Sequence, residues 1–224
     1  MSVSKLIVAS FPYLLQGAGN TVLLWAGSAV GSIVLGLAVA LMRLSGFRLL
    51  DRVARAYLSA FRGTPLLIQL LIFYNGLTNY HILLTPLQAA FLGLILHFGA
   101  YNSEIFRAAI TAVDKGQWEA AAALGMSTAQ TLYRIVLPQA LRHALPPLGN
   151  SLVDLVKSTS VASFIQVSEL SRRADEISAG ALVIMPLLLV AAAMYWLMTA
   201  ALSLVQERIE RAAALPGNVV QLHK

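Results

Sequence analysis

The chain has 224 residues, of which 58% are hydrophobic and 12% are charged, and its mean hydropathy is +0.73. Soluble globular domains carry roughly twice that charged fraction, so the composition excludes an ordinary soluble protein and indicates one that folds in a lipid bilayer. The net charge of +6 is explained by basic cytoplasmic loops and requires no nucleic-acid partner, and the lack of Cys excludes disulfides and thiolate metal sites.

Five apolar segments predict membrane-spanning helices, because a helical span needs about 20 residues. In chain order they cover about residues 21–42, 65–77, 87–110, 145–165 and 181–205. The second has a short apolar core, so we expect it to extend back through residues 54–63. Residues 47–61 alternate Arg with apolar residues at helical spacing, which indicates an amphipathic helix at the membrane surface. We therefore expect one all-α, polytopic transmembrane domain over residues 1–224.

The connections between these segments differ in their basic residues, and this difference predicts the orientation of the chain. The first and third connections and the C-terminal tail are basic, whereas residues 75–86 contain no Lys or Arg. The positive-inside rule places the N-terminus outside and the C-terminus in the cytoplasm, although Arg172 and Arg173 of the fourth connection then lie outside. The basic residues that carry the prediction are Arg43, Arg48, Arg52, Arg55, Lys115, Arg134, Arg142, Arg208, Arg211 and Lys224.

The third connection begins with signals for a short helix. Asp114 is placed to cap its N-terminus, with Gln117 three residues later in a capping-box-like arrangement. Glu119 is expected in the first turn, where a carboxylate interacts favourably with the helix dipole. The alanines at 120–123 favour a helix with small side chains, and Gly125 suits a left-handed C-terminal cap. The helix is therefore predicted to end at Gly125.

A second helix is predicted to follow at once. Ser127 with Gln130 forms another capping box, and the helix is expected to run to Leu137, where Pro138 kinks or ends it. A smooth, Ala-faced helix on the membrane surface binds lipid weakly but fits a groove on another protein. We therefore interpret residues of about 114–138 as a cytoplasmic docking and coupling element.

The spacing within this loop resembles the EAA motif of ATP-binding-cassette (ABC) importer permeases. The motif consists of Glu-Ala-Ala, three residues, Gly, nine residues, Ile, one residue and Leu-Pro, and every spacing fits. The matching residues are Glu119, Ala120, Ala121, Gly125, Ile135, Leu137 and Pro138. Further stretches are similar to the polar amino acid uptake subfamily of HisM- and HisQ-like permeases, namely residues 14–24, 61–76, 100–110, 115–127, 137–150 and 156–170.

The resemblance implies a MetI-like transmembrane domain with five transmembrane helices and a cytoplasmic coupling helix. Permeases of this kind lie in the bacterial cytoplasmic (inner) membrane and pair two to a transporter, as identical copies or as paralogues. The pair docks on two cytoplasmic ATPase subunits and receives an amino acid from an extracytoplasmic solute-binding protein. The resemblance also implies that residues 114–138 contact the ATPase near its nucleotide-responsive cleft.

The sequence indicates a non-catalytic subunit. It contains no G-x-x-x-x-G-K-[ST] phosphate loop, no HExxH motif and no plausible nucleophile–base set. We therefore expect this chain to bind no cofactor or metal, with ATP and Mg used by the partner ATPase. Its expected role is to convert closure of the ATPase into alternating access.

A polar stripe in the fourth span is the candidate solute pathway. Ionisable residues inside a span cost about 2.5–3.5 kcal/mol each on insertion scales, so they usually face a cavity or a partner. Asp154 and Lys157 are three residues apart and share a helix face, which suits the ammonium and carboxylate of an amino acid. Alternatively, the two charges neutralise each other and fix the helix. The candidate residues are Asn150, Ser151, Asp154, Lys157, Ser158 and Thr159.

Two departures from the subfamily bear on the solute. Permeases for cationic amino acids often have Glu just after the Asn of this segment, where this chain has Ser151. The common Lys-Asp-Thr-Ser run is Lys-Ser-Thr-Ser at 157–160, and an acid is found instead at Asp154. The resemblance thus implies polar amino acids without favouring basic ones. His97 in the third span is interpreted as a packing residue.

Three alternatives stay open. Within the family, the alternative solute is an opine or another amino-acid-like compound. Whichever the solute, this chain or its partner permease holds the main contacts. From another class, the chain is an ATP-independent secondary transporter or channel, which predicts inverted repeats and broken helices that the sequence does not display. A structural membrane scaffold is the third, but it has no use for Asp154 and Lys157 within a span.

Overall fold

A computed structural model describes residues 3–213, and all regular structure in that range is helical, which confirms the predicted all-α fold. Lys224 of the basic tail and the remaining residues of the predicted 1–224 domain lie outside the described residues. The helices are α1 (Val3–Leu44), α2 (Arg48–Gly63), α3 (Leu66–Leu71), α4 (Pro86–Thr111), α5 (Lys115–Ala123), α6 (Thr128–Thr131), α7 (Leu137–Ser158), α8 (Leu170–Ala181) and α9 (Met185–Ala213). Short π-helical turns occupy Ile72–Gly76 and Leu132–Val136, and 3₁₀ helices occupy Leu77–Tyr80 and Thr159–Ile165.

Helices α1 and α4 pack along each other at the centre of the fold. The close approach of their backbones requires Gly36, because a Cβ there would lie 2.8 Å from Cβ of Asn102 and 3.0 Å from the backbone nitrogen of Ser103. Leu94 is fully buried in one hydrophobic cluster along this pair and Phe106 in another. The α1–α4 contact therefore places Asn102 and Ser103 of α4 directly against α1.

The second predicted span is broken. Helix α2 ends at Gly63, and the axis turns by 106° before α3, so residues 54–63 are not a straight continuation of α3, and their extension of the second span stays a prediction. Thr64 precedes a proline and adopts an extended conformation (φ −122°, ψ 145°), which a residue before proline favours over the helical one. The amphipathic character predicted for residues 47–61 is seen in α2, which buries Ala54 and Leu58.

The number of spans is only partly supported by helix length and composition. Among the described helices, α1 and α9 are long and apolar enough to cross a membrane, and α2 with α3 adds a third if the bent pair is one span. Helix α4 coincides with the third predicted span, and α7 overlaps the fourth over residues 145–158, but both helices carry more polar side chains. The count of five spans therefore stays a prediction.

The connections between the predicted spans lie at two opposite ends of the helices, as the contacts of Asn20, Thr85 and Arg43 indicate. At one end, Asn20 of α1 donates a hydrogen bond to the carbonyl of Ser168 in the fourth connection (2.7 Å), and Thr85 of the second connection lines the same small cavity. At the other end, Arg43 near the first connection forms an ion pair with Glu104 of α4. The grouping agrees with the alternation of sides expected for successive spans, while the end that faces the cytoplasm stays a prediction.

Glu169 ties three helices together at the first of these ends. Its side chain is fully buried and caps α8, accepting a hydrogen bond from the backbone N–H of Arg172 (2.8 Å). The second carboxylate oxygen accepts hydrogen bonds from Thr21 of α1 (3.4 Å) and from the hydroxyl of Tyr195 in α9. Thr21 Oγ1 in turn accepts from the backbone N–H of Leu170 (3.1 Å), so one carboxylate organises α1, α8 and α9.

Candidate functional site

The first part of the third connection folds as a capped helix, with two differences from the prediction. The carboxylate of Asp114 caps α5 by accepting from the N–H of Gly116 (2.7 Å), which confirms the cap. The side chain of Gln117 does not complete a capping box, because its Oε1 accepts instead from Nε2 of Gln139 (3.2 Å). Glu119 is the fifth residue of α5 and so lies one place beyond the first turn.

The joint after α5 forms as predicted. Gly125 has φ +76°, in the left-handed region, and its N–H donates to the carbonyl of Ala122 (3.0 Å). Ser127 and Gln130 form a reciprocal capping box, with Gln130 N–H on Ser127 Oγ (3.3 Å) and Ser127 N–H on Gln130 Oε1 (2.9 Å). These local hydrogen bonds set the change of direction between α5 and α6.

The helix does not end at Pro138, contrary to one half of the expectation. Helix α6 passes through the π-helical turn and continues as α7 as far as Ser158. In that turn the N–H of Leu137 donates to the carbonyl of Leu132, five residues back instead of four. The wider turn accommodates a proline that has no N–H and whose ring would crowd the preceding turn of an α-helix. One nearly continuous helical rod therefore links the loop to the fourth span.

The EAA residues lie on a helix–turn–helix whose two sides differ in exposure. Ala121 is buried, and Trp118 packs with Val136 in the hydrophobic cluster around Phe106. Ile135 and Leu137 are half-buried, and Leu137 packs against the same cluster, whereas the remaining motif residues, Glu119, Ala120, Gly125 and Pro138, are exposed. The loop is thus anchored through one side of α5 and presents the other side to its surroundings.

Most residues of the predicted polar stripe line one cavity of about 680 Å³ between α4 and α7. We call it the α4–α7 cavity. Helix α4 contributes His97, Tyr101 and Ile105, which recur at intervals of four residues, and α7 contributes a stripe at helical spacing. The α7 residues that line it are Pro147, Asn150, Ser151, Asp154, Lys157 and Ser158. Thr159 is not among them, because it is buried and its hydroxyl donates to the carbonyl of Val156 (2.7 Å).

Asp154 and Lys157 form an ion pair on the α7 side of this cavity. Nζ of Lys157 lies 2.7 Å from Oδ1 of Asp154, and the side chains are 58% and 63% exposed, respectively. Both charges are therefore accessible to a third group while they are paired. Asn150 nearby accepts a hydrogen bond from Gln206 of α9 (3.3 Å), so α9 approaches the end of the stripe.

Ser151 faces inward and connects α7 to the centre of the fold. Its hydroxyl donates to Oδ1 of Asn102 (2.7 Å), and Nδ2 of Asn102 donates to the hydroxyl of Ser32 on α1 (3.2 Å). Asn102 is fully buried, and the sequence interpretation did not connect it to the stripe. A buried amide in an apolar helix was the available signal, because such a group requires hydrogen-bond partners.

Charged residues lie in the C-terminal part of α4. Glu104 pairs with Arg107 (2.9 Å), as an i,i+3 spacing allows, and also with Arg43 of α1, which its sequence separation hid. Arg62 of α2 lies 5.5 Å from the centroid of the Tyr101 ring, which lines the cavity. No group of three or more His, Asp or Glu residues able to hold a metal occurs between residues 3 and 213.

Comparisons with known proteins place these features in context. Residues 32–214 match the family described as binding-protein-dependent transport system inner membrane component. The chain is 45% identical over 208 residues to the L-cystine transport system permease protein TcyB of Bacillus subtilis (strain 168), covering 92% of this chain and 89% of that protein.

Solved structures agree with this similarity. The fold matches the crystal structure of an amino acid ABC transporter with histidines, with a TM-score of 0.87 and 35% identity over 92% of this chain and 96% of that one. It also matches an inward-facing form of the MetNI methionine ABC transporter, with a TM-score of 0.76 over 96% of this chain and all of the other. At 21% identity the second match concerns the fold alone, and it confirms the MetI-like architecture.

Proposed function

This chain belongs to the family of binding-protein-dependent transport system inner membrane components, and from that membership we propose how its residues act. It is a permease subunit of an ABC importer for amino acids in the inner membrane. Family members are non-catalytic membrane subunits that work with an ATPase and a binding protein.

The single observation that carries the solute proposal is the accessible Asp154–Lys157 pair in the α4–α7 cavity. A zwitterionic amino acid places its ammonium against the carboxylate and its carboxylate against the ammonium of such a pair. Because the two protein charges already neutralise each other, the free-energy cost of placing them in a membrane is lowered even when the cavity is empty. Polar amino acids are the solute class, and Asn150, Ser151 and Ser158 supply further polar groups along the α7 side.

For coupling, we propose that the exposed side of α5 docks on the ATPase. Glu119 and Ala120 are exposed there, while Trp118 and Ala121 hold α5 to the permease core. The helical rod from Thr128 through α7 connects this docking face to Asp154 and Lys157. Closure of the ATPase, which uses ATP and Mg, would then be transmitted along one helix to the cavity.

The full assembly is proposed to contain two permeases, two ATPase subunits and one extracytoplasmic binding protein. The open side of the α4–α7 cavity would be completed by the second permease, either an identical copy or a paralogue. The end that carries Arg43 and α5 is proposed to face the cytoplasm, because basic connections favour that side. The whole chain acts as a single transmembrane domain in this arrangement.

The test is uptake of radiolabelled amino acids into proteoliposomes that contain the complete assembly. A panel of L-cystine, L-arginine, L-glutamine and L-glutamate is offered with internal ATP or with none, and a nopaline-type opine serves as a competitor. We expect ATP-dependent accumulation of at least one polar amino acid. Efficient competition or preferential uptake of the opine would favour the alternative solute, and flux through this chain alone without ATP would overturn the importer assignment.

A further inference from the structure

A buried amide holds the break between α2 and α3. Gln69 is 5% exposed, and its Nε2 donates to the carbonyl oxygens of Phe61 (2.9 Å) and Thr64 (3.1 Å) and lies 2.8 Å from the hydroxyl of Thr64. Carbonyl oxygens only accept hydrogen bonds, so the atom that faces them is the NH₂ group and the amide is not reversed. The opposite atom, Oε1, is therefore an acceptor in a fixed position.

That acceptor determines the tautomer of His97. Nδ1 of His97 lies 3.1 Å from Oε1 of Gln69, and because this oxygen only accepts, Nδ1 carries the hydrogen. A neutral imidazole has one N–H group, so Nε2 is an acceptor with a free lone pair. The rings of Phe98 and Tyr101 stand with their centroids 5.4 and 5.1 Å from that of His97 and hold its plane.

Nε2 of His97 is open to the α4–α7 cavity. The imidazole lines that cavity, and Nε2 has no hydrogen bond to any residue in the range 3–213. Ser28, Arg43 and Arg173 each have a buried polar side-chain atom without a partner in this range, but Nε2 of His97 is not such an atom. Nε2 has no partner and is not buried, so it is accessible on a ring that lines the cavity. The α4 side thus presents a neutral acceptor, whereas the α7 side presents Asp154 and Lys157.

We propose that His97 is a specificity-determining residue whose Nε2 accepts a hydrogen bond from a donor on the side chain of the transported amino acid. This inference rests on the proposed function and deepens it. Asp154 and Lys157 engage the ammonium and carboxylate that all amino acids share, and His97 distinguishes the side chain from the other wall. The solute class is amino acids whose side chains carry an N–H or O–H donor, such as an amide, a guanidinium or a second ammonium group.

Two substitutions separate the roles of the ring nitrogens. In His97→Asn the side-chain amide reaches the position of Nδ1 and keeps the hydrogen bond to Gln69, but nothing replaces Nε2. In His97→Gln the longer side chain supplies an acceptor near the position of Nε2. Both are introduced into the complete assembly, and initial uptake is measured with the donor-bearing amino acid, L-glutamine, L-arginine or L-cystine, that the wild type accumulates fastest. Assembly of each variant is checked by size-exclusion chromatography.

We expect His97→Asn to lower uptake about tenfold, the effect of one lost hydrogen bond, and His97→Gln to stay within about threefold of the wild type. Wild-type uptake by His97→Asn would overturn the inference and leave the proposed function intact. Equal losses in both variants, or failure of both to assemble, would also overturn it, because His97 would then serve packing. Lack of ATP-dependent uptake by the wild type itself would instead overturn the proposed function.

Discussion

At the scale of single residues, Glu169 shows what burial does to a charged group. The pKa of its carboxyl is raised because burial removes it from water, while hydrogen bonds from Tyr195, from the backbone of Ser171 and Arg172, and from Thr21 act in the opposite direction. Above pH 4.5, the ordinary pKa of this carboxyl, the folded protein therefore holds the proton of Glu169 more often than the unfolded protein does. In that window, folding stability falls as the pH rises.

Substitution Glu169→Gln is predicted to remove this pH dependence. As the pH is lowered from about 7 to about 5, the thermal stability of the wild-type assembly should rise relative to that of the variant. The measurement is the difference in melting temperature between wild type and variant at each pH, in purified assemblies. The control is Glu207→Gln, which makes the same chemical change at an exposed position. A wild-type-minus-Glu169→Gln difference that does not change with pH would contradict the prediction.

The residues that sequence reasoning predicted correctly depend on neighbours in the chain. Ser127 with Gln130 and the left-handed Gly125 involve contacts over three residues or fewer, so local chemistry determines them. The bond between Ser151 and Asn102 spans 49 residues, and that between His97 and Gln69 spans 28. Such pairs depend on how helices pack, which periodicity does not reveal. His97 was accordingly interpreted as a packing residue.

At the scale of elements, two prolines have opposite effects. Pro65 follows an extended Thr64 and marks a 106° turn between α2 and α3, whereas Pro138 is absorbed by a π-helical turn within a continuing helix. Both prolines disrupt a regular α-helical turn, and the sequence analysis predicted such an effect for Pro138. The outcome is set by surroundings: Gln69 binds the free carbonyl groups at the break, and Val136 is buried in the core beside Pro138.

The joint at Gly125 supports a second prediction at this scale. A Cβ at Gly125 would meet no atom within 4 Å, but the left-handed conformation costs a residue with a Cβ about 1–2 kcal/mol. We therefore expect Gly125→Ala to loosen the orientation of α5 and to lower amino acid uptake per ATP hydrolysed, while the assembly stays intact.

The matched control for that substitution is Gly180→Ala in α8. Gly180 also has open space around a Cβ, but its φ lies outside the left-handed range, so alanine is tolerated there. Uptake and ATP hydrolysis are measured together in proteoliposomes for both variants. An equal ratio of uptake to hydrolysis in the two variants would show that the conformation of Gly125 has no part in coupling.

At the scale of the whole molecule, the fold separates the polar α4–α7 cavity from the exposed side of α5 and joins them by one helical rod. Composition and periodicity predicted the all-helical membrane class, and the EAA spacing predicted the family. The cavity was predicted on the α7 side alone, because its α4 wall comes from His97 and Tyr101, about 50 residues earlier in the chain. The central claim is that α5 transmits the action of the ATPase to this cavity.

The most direct measurement of that claim is ATP hydrolysis and amino acid uptake in the same proteoliposomes for Glu119→Lys, with Glu207→Lys as a charge-matched control on α9. Charge reversal at a docking interface costs several kcal/mol, so we predict at least about tenfold lower uptake for Glu119→Lys and hydrolysis that no longer responds to the loaded binding protein. Within residues 3–213 the ion pair of Glu207 is an exposed one with Arg211, so its reversal should leave both rates close to those of the wild type. Normal, ATP-coupled uptake by Glu119→Lys would contradict the account.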